Sequence, residues 1–460
     1  MDSKQIAAID FGTSATRVLL AEKCDTGINI LGFSKVPSEG VKRGAVVNIQ
    51  KACETLQKAV DEVREQTNVE IDEAMVSISG PLKKCETTMV STTRAHPDSL
   101  ITDIEIEELI NNVIHSQEEE GSERLNVIPQ KYDVDDMLGY SRNGVVGMSG
   151  KKISGYYRIV TGKSSLIRNI RDVLAHANIK PTLILLSPIA AACSTLSKDE
   201  KELGVTLLDI GAGTTELLVI KDNIIRHAAI IPFAGNSVTY DIRTSTGVSF
   251  NNAEIMKVKY GCCVENLVTE NKIIVIPGQA GKQDKEISFK NLAHIIEARM
   301  TEIFEAVSYE IEQSGLQGKL PGGVVITGGT CYMERIQELA NQILGYNIRL
   351  ASPDLQRIHT NRFDEAVYSP NSSVDTGLAL YYFENRKRIE ESADIEVQYI
   401  SRPSTQTDLF GYTDEKGNGK DTPRKVKKES RTRDKKEKNT RKGGFKDLFD
   451  DIFKSDDNEA

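Results

Sequence analysis

One short pattern occurs twice in the chain, and it constrains the fold more than any other feature. "AAIDFGTSATRVLL" (7–20) and "TLLDIGAGTTELLV" (206–219) share a skeleton: an apolar run, Asp, an apolar residue, Gly, three residues, Thr, and a second apolar run. Asp10 aligns with Asp209, Gly12 with Gly211 and Thr16 with Thr215. Apolar runs on either side of a small-residue turn read as a β-hairpin. Two such hairpins about 200 residues apart predict a duplicated α/β core, with a cleft between its halves.

Helical periodicity fills the space between the repeats. In "KACETLQKAVDEVREQT" (51–67), Ala52, Leu56, Ala59, Val60 and Val63 share one face. "NLAHIIEARMTEIFEAVSYEIEQSG" (291–315) reads as a longer helix stopped by Gly315, and "CYMERIQELANQILG" (331–345) as one ending at Gly345. A chain of 460 residues exceeds a single core. No apolar run reaches the roughly 18 residues that a membrane span needs. "MDSKQIAAID" leads straight into a strand, with no signal-peptide pattern. The seven cysteines are scattered and lack CxxC spacing, which suits a reducing cytoplasm. A net charge of −9 argues against nucleic-acid binding by the body.

The chemistry lies in the turns. Gly-, Ser- and Thr-rich turns present backbone N–H groups unobstructed by Cβ, so they can wrap a phosphate. "DFGTSAT" and "DIGAGTT" are two of them, and the Asp opening each can hold Mg²⁺ through water. "PGGVVITGGTCYMERIQEL" (321–339) adds a strand, a Gly-Gly turn and a helix start, where backbone can approach a flat ligand closely. Taken singly, each is also compatible with an ordinary glycine hairpin or a tight strand-to-helix connection. The six histidines show no HxH or HExxH spacing and identify no ligand set.

Composition changes near residue 390. From 391 to 442 there is little to bury, and the segment reads as a disordered linker with an end-to-end distance of roughly 40 Å. Within 424–442, eleven Lys/Arg stand against three Asp/Glu. After Gly443-Gly444 comes "FKDLFDDIFK". On a helix, Phe445, Leu448, Phe449, Ile452 and Phe453 fall in an arc of about 140°. So short a helix needs a surface to stabilise it. Its three aspartates would be repelled by anionic lipid, and the preceding basic stretch supplies the attraction. The basic stretch alone would equally fit nucleic acid, and the helix alone a partner's groove. Their adjacency favours an anionic membrane surface.

The order DxGT, DxGxGTT, GGVVITGGT resembles phosphate-1, phosphate-2 and adenosine of the actin/Hsp70/sugar-kinase superfamily. Over about residues 4–385 and the tail, the chain resembles the bacterial FtsA family of cell-division proteins. The resemblance rests further on "RGAVVNIQKACETLQKAVDEVREQ" with "VSISG", on "NVIPQKYDVDDMLGYSRNGVVGMSGKKISGYYRIVTG" (126–162), on "SPIAAACSTLSKDEKELGVTLLDIGAGTT" (187–215) and on "NNAEIMKVKYG" (251–261). It implies an actin-like (RNase H-like) core. Subdomain 1A would comprise 1–82, 164–200 and a closing helix at 375–390. An inserted α+β subdomain would occupy 83–163, subdomain 2A 201–236 and 316–374, and subdomain 2B 237–315. A linker at 391–442 and a membrane-targeting helix at 443–455 would complete the chain.

Carried over, the resemblance implies that Gly12, Thr13 and Ser14 contact phosphates, with Asp10 near Mg²⁺. Gly211, Gly213, Thr214 and Thr215 would hold the other side, and Asp209 would sit by metal or attacking water. Glu254 and Lys257 would border ribose and base, and Gly328, Gly329 and Thr330 would close over the adenosine of ATP. Arg299 and Glu302 would meet the C-terminal tail of FtsZ. It further implies self-assembly into filaments, contacts of the inserted subdomain with other division proteins, and a peripheral location on the cytoplasmic face of the membrane at the septum. The segment "PLKKCETTMVSTTRAHP" departs from the family pattern, as does Arg17 where relatives carry a nearby Lys. No general base stands out, so at most slow hydrolysis is expected. A small-molecule kinase of the superfamily would leave the tail without a role, and a pilus-assembly relative would lack it. An Hsp70-like chaperone would need a β domain after residue 390.

Overall fold

A computed structural model describes residues 5–80, 82–277 and 283–400, without the side chains of residue 388 and residues 390–400. Both repeats form hairpins, and each hairpin starts a sheet. Strand Gln5–Phe11 pairs antiparallel with Ala15–Lys23, which pairs antiparallel with Ile28–Pro37. On the other side of the first strand, Glu73–Ile78 and then Lys180–Leu186 add in parallel. The second half repeats this order. Val205–Ile210, Thr215–Lys221 and Ile224–Ile231 form the meander, and Val324–Thr327 and Ile348–Leu350 add in parallel beside the first strand. The first sheet alone gains a sixth strand, Ile358–His359, along its outer edge.

The strands are nearly continuous apolar runs because helices cover them. Helix Ile49–Thr67 buries Ala52, Leu56, Ala59, Val60 and Val63, the face its periodicity predicts. Asn48 caps its start by accepting from Lys51 N, and Asn68 stops it in the left-handed conformation. Helices Ser187–Thr195 and Ser373–Ile400 pack against one another in the core. They meet backbone to backbone, since a Cβ on Gly377 would come within 1.9 Å of Ala190 O.

Two elements differ from expectation. The helix expected over 331–345 begins only at Ile336, after a 3₁₀ turn at Gly329–Tyr332. Arg335, at φ 64°, breaks the path where Glu334 bridges to Cys262. The helix expected to close at 390 continues to Ile400, because the sequence places neither Gly nor Pro between residues 378 and 402. The linker beyond residue 400 and the amphipathic helix at 443–455 lie outside the described residues.

The insertion folds around its own core. Strands Leu82–Thr93, Lys152–Lys163, Ser122–Val134 and Met137–Tyr140 form a sheet in that order. Helix Asp103–Ile114 covers it, burying Ile106, Leu109 and Val113 near Tyr132 and Tyr157. Buried Arg94 ties the loops together by donating to Glu105, Ser99 O and Gly150 O. The insertion is also fastened to the second half. Gln130 Nε2 donates to Ile225 O at 2.9 Å, and His227 bridges Arg158 (3.3 Å) and Glu310 (2.7 Å). No helix among the described residues is long and apolar enough to cross a membrane.

Candidate functional site

The cleft between the halves has a volume of about 830 Å³. Asp10, Gly12, Thr13, Ser14, Asp209, Gly211, Gly213, Thr214, Glu254, Lys257, Gly328, Gly329 and Thr330 all line it. Thr215 does not. Successive side chains alternate across a strand, so with Thr214 facing the cleft Thr215 turns inward and donates to Phe233 O at 2.7 Å.

Each turn is braced from behind. Ser38 Oγ donates to Gly12 O at 2.7 Å, and Ser38 N donates to Ser14 O at 3.2 Å. In the second turn, Gly235 N and Asn236 N, at the start of helix Gly235–Thr246, donate to Gly211 O and Ala212 O. Thr330 Oγ1 also donates to Gly211 O, at 2.8 Å, which links the Gly-Gly turn to the turn of the second hairpin. The two hairpin turns face each other closely: a Cβ on Gly213 would stand 2.3 Å from Thr13 Oγ1. Gly328, at φ 85°, leaves room for Asp209, whose Oδ1 would be 2.2 Å from a Cβ there.

Glu254 and Lys257 form a working pair at the cleft. Lys257 is nearly buried, and its Nζ donates to Gly235 O (3.0 Å), Thr239 Oγ1 (2.9 Å) and Glu254 Oε2 (2.7 Å). Burial lowers its pKa against the pull of Glu254. Exposed Val258, Tyr260 and Tyr332 lie beside them and offer apolar surface to a planar group.

The cleft floor holds more carboxyls than cations. Strand register sets Asp10 opposite Arg17 and Asp209 opposite Glu216, so the repeat carries two equivalent pairs of unlike composition. Asp10 accepts from Ser77 Oγ at 2.6 Å and from Arg17 at 3.3 Å. Burial, reinforced by Asp10, pushes Asp209 up to about 7. Burial also raises Glu216, whose Oε2 has no partner among the described residues. Asp375, fully buried on the last helix, rises to about 8 through burial. Buried carboxylates without partners favour a cation or a proton. This donor set of hard oxygens fits Mg²⁺. No group of three or more His, Cys, Asp or Glu is gathered to bind a metal directly among the described residues.

These raised values carry a sign. A carboxyl whose folded pKa exceeds its ordinary 3.8 keeps a proton that the unfolded chain has released, so it weakens the fold as pH rises through that interval. Asp375→Asn should therefore gain stability relative to the parent between pH 5 and pH 8. Denaturant unfolding of the nucleotide-free chain at both pH values checks this.

Sequence reasoning missed Lys35, Ser79, Glu216, Asn371 and Val374, all of which line the cleft. Glu216 was within reach as the repeat partner of Arg17, whereas the others need the tertiary fold.

Comparison with known proteins gives the same organisation. The model for "Cell division protein FtsA" matches residues 206–376, and that for "SHS2 domain inserted in FTSA" matches residues 83–161. FtsA of Pseudomonas aeruginosa is 32% identical over 384 residues, spanning 82% of this chain and 89% of the relative. The chain belongs to the FtsA family of cell-division proteins. FtsA of Bacillus subtilis is 31% identical, spanning 75% of this chain and 78% of its own length. FtsA of Escherichia coli is 26% identical, spanning 86% and 94%. Among solved structures, the PilM–PilN type IV pilus biogenesis complex aligns with a TM-score of 0.59 at 15% identity, covering 82% of this chain and 98% of that one. MreB 5 of Spiroplasma citri bound to AMPPNP aligns at 0.51 and 15% identity, covering 85% and 100%. The fold of this FtsA-family chain is thus actin-like, with the SHS2 domain inserted in its first half.

Arg299 and Glu302, the residues expected to meet a partner, lie on helix Phe289–Gln313, away from the cleft lining. Arg299 is already engaged: Nε donates to Asp241 Oδ2 at 2.5 Å and NH1 to Glu302 Oε2 at 2.6 Å.

Proposed function

We propose that this chain is an ATP-binding division protein that self-assembles and tethers polymers of the tubulin-like FtsZ to the cytoplasmic membrane. The observation that carries the reading is the convergence of three glycine turns, from both halves, on one acidic cleft. Gly12–Ser14 and Gly211–Thr214 grip the phosphates. Asp10 and Asp209 would hold Mg²⁺, which would neutralise phosphate charge, and Asp209 would orient an attacking water. Glu254, Lys257 and the turn Gly328–Thr330 border the adenosine. Nucleotide acts chiefly by occupancy, with turnover slow at most.

The remaining parts follow from the family and the sequence. The helix at 443–455 inserts Phe445, Leu448, Phe449, Ile452 and Phe453 into an anionic leaflet, aided by the basic segment 424–442. That attachment is peripheral, on the cytoplasmic face at the division septum. The FtsZ tail docks on the 237–315 region near Arg299 and Glu302, where Asp241 also pairs with the guanidinium. The inserted domain meets further division proteins, and none of these contacts involves nucleic acid.

Calorimetric titration of the full chain tests the core of this reading. ATP should bind in the presence of Mg²⁺ and lose at least tenfold in affinity when EDTA removes the metal. Heat-silent titration, with no thermal stabilisation by ATP, would rule the cleft out as a nucleotide site.

A further inference from the structure

Far from the nucleotide cleft, a thiol, an imidazole and a carboxylate stand in a row. Cys85 lies on strand Leu82–Thr93 of the inserted domain, half-buried where that domain meets the second half. Three donors converge on its sulfur. Arg158 NH1, from the neighbouring strand Lys152–Lys163, stands 3.9 Å from Sγ. His227 and the Ala228 N–H, from strand Ile224–Ile231 of the second half, also hydrogen-bond to it. His227 is buried and held from its far side, with Nε2 2.7 Å from Glu310 Oε2 on helix Phe289–Gln313.

This order of groups activates a nucleophile: the carboxylate orients the ring, and the ring takes the thiol proton. Burial alone would raise the Cys85 thiol. The hydrogen bonds from His227 and Ala228, with the charges of His227 and Arg158, outweigh it and hold the thiol below its ordinary range. His227 moves the other way, raised against burial by Cys85 and Glu310. The Arg158 guanidinium also lies 3.3 Å from His227 Nδ1, a contact of like charges that an anionic sulfur beside both offsets. The pair therefore rests as thiolate and imidazolium. Burial pushes Cys53, Cys193, Cys262, Cys263 and Cys331 up instead. Arg158 Nε is buried and has no partner among the described residues, which leaves one N–H for an oxygen arriving at the sulfur.

We propose that Cys85 is an oxidation site, a thiolate that a hydroperoxide converts to sulfenic acid, with His227 positioning it and supplying a proton. The thiolate attacks one peroxide oxygen. The S–O bond forms as the O–O bond breaks, so the sulfur loses the two electrons that the peroxide gains. The departing hydroxide takes the proton of the His227 imidazolium and leaves as water. The sulfur then carries an extra oxygen at the junction, and His227 has lost the charge that tied it to Glu310. Oxidation therefore loosens the inserted domain from the second half.

Treating the full chain with hydrogen peroxide at pH 7, in the presence of dimedone as a sulfenic-acid trap, tests this by peptide mass spectrometry. Cys85 should be trapped roughly tenfold faster than any other cysteine. Its alkylation rate should level off at a lower pH in the parent than in His227→Asn, and Glu310→Gln should move the profile the same way by less. A merely structural role for His227 would expose the thiol and speed it without moving that profile. Amide exchange over Ile224–Ile231 should rise on oxidation of the parent and stay unchanged for Cys85→Ser. Cys85 trapped no faster than the other cysteines, or a pH profile unmoved in both variants, would overturn the site. Trapping without any change in amide exchange would overturn the loosening.

Discussion

Gly213→Val should abolish ATP binding while the chain remains folded. The two hairpin turns approach so closely that a Cβ on Gly213 would stand 2.3 Å from Thr13 Oγ1 and 2.9 Å from Thr13 Cβ. Thr13 cannot simply rotate away, because Gly44 N donates to its hydroxyl at 2.9 Å. Valine would push the turns apart and fill the space proposed for the phosphates. Backbone N–H groups that are misplaced by about 1 Å lose most of their contribution, so a fall of at least 100-fold in ATP affinity is expected. Both turns lie outside the apolar clusters, so the cost in stability should stay near 1–2 kcal/mol. Titration and thermal melting of the same sample separate the two effects. Unchanged ATP affinity would mean that the turns do not hold the phosphates.

The second large effect concerns the other end of the chain. Phe449→Asp should remove binding to anionic vesicles and leave ATP affinity unchanged. Fully burying one large apolar side chain gives about 1.5–3 kcal/mol, and the new carboxylate adds repulsion from the lipid, so vesicle partitioning should fall at least 30-fold. A five-residue apolar face on a short helix has little reserve against such a loss. Vesicle flotation measures the first outcome and calorimetry the second. Loss of both activities would assign residues 443–455 to the folded body.

Particular residues show where the sequence was transparent. The hairpins could be read because Asp, Gly and Thr recur at fixed offsets, and such turns require those residue types. The face of helix Ile49–Thr67 was legible for the same local reason, since 3.6-residue periodicity is written in the chain itself. Thr215 was misplaced by one step of strand alternation, which a stricter reading of the period would have caught. Lys35 was illegible, because only the pairing of a third strand sets it opposite Arg17. Asp375 was hidden in the same way: its burial depends on a helix that returns to the first half only after the whole second half in chain order. The engagement of Arg299 by Asp241, 58 positions away, is likewise a tertiary fact that no local pattern encodes.

The tethering claim is tested most directly by sedimenting FtsZ with anionic vesicles and this chain, with and without residues 443–460. FtsZ should pellet with vesicles only when the full chain and ATP are both present, and should stay in the supernatant when those terminal residues are removed. FtsZ remaining soluble with the full chain, at every nucleotide and lipid composition, would contradict the account.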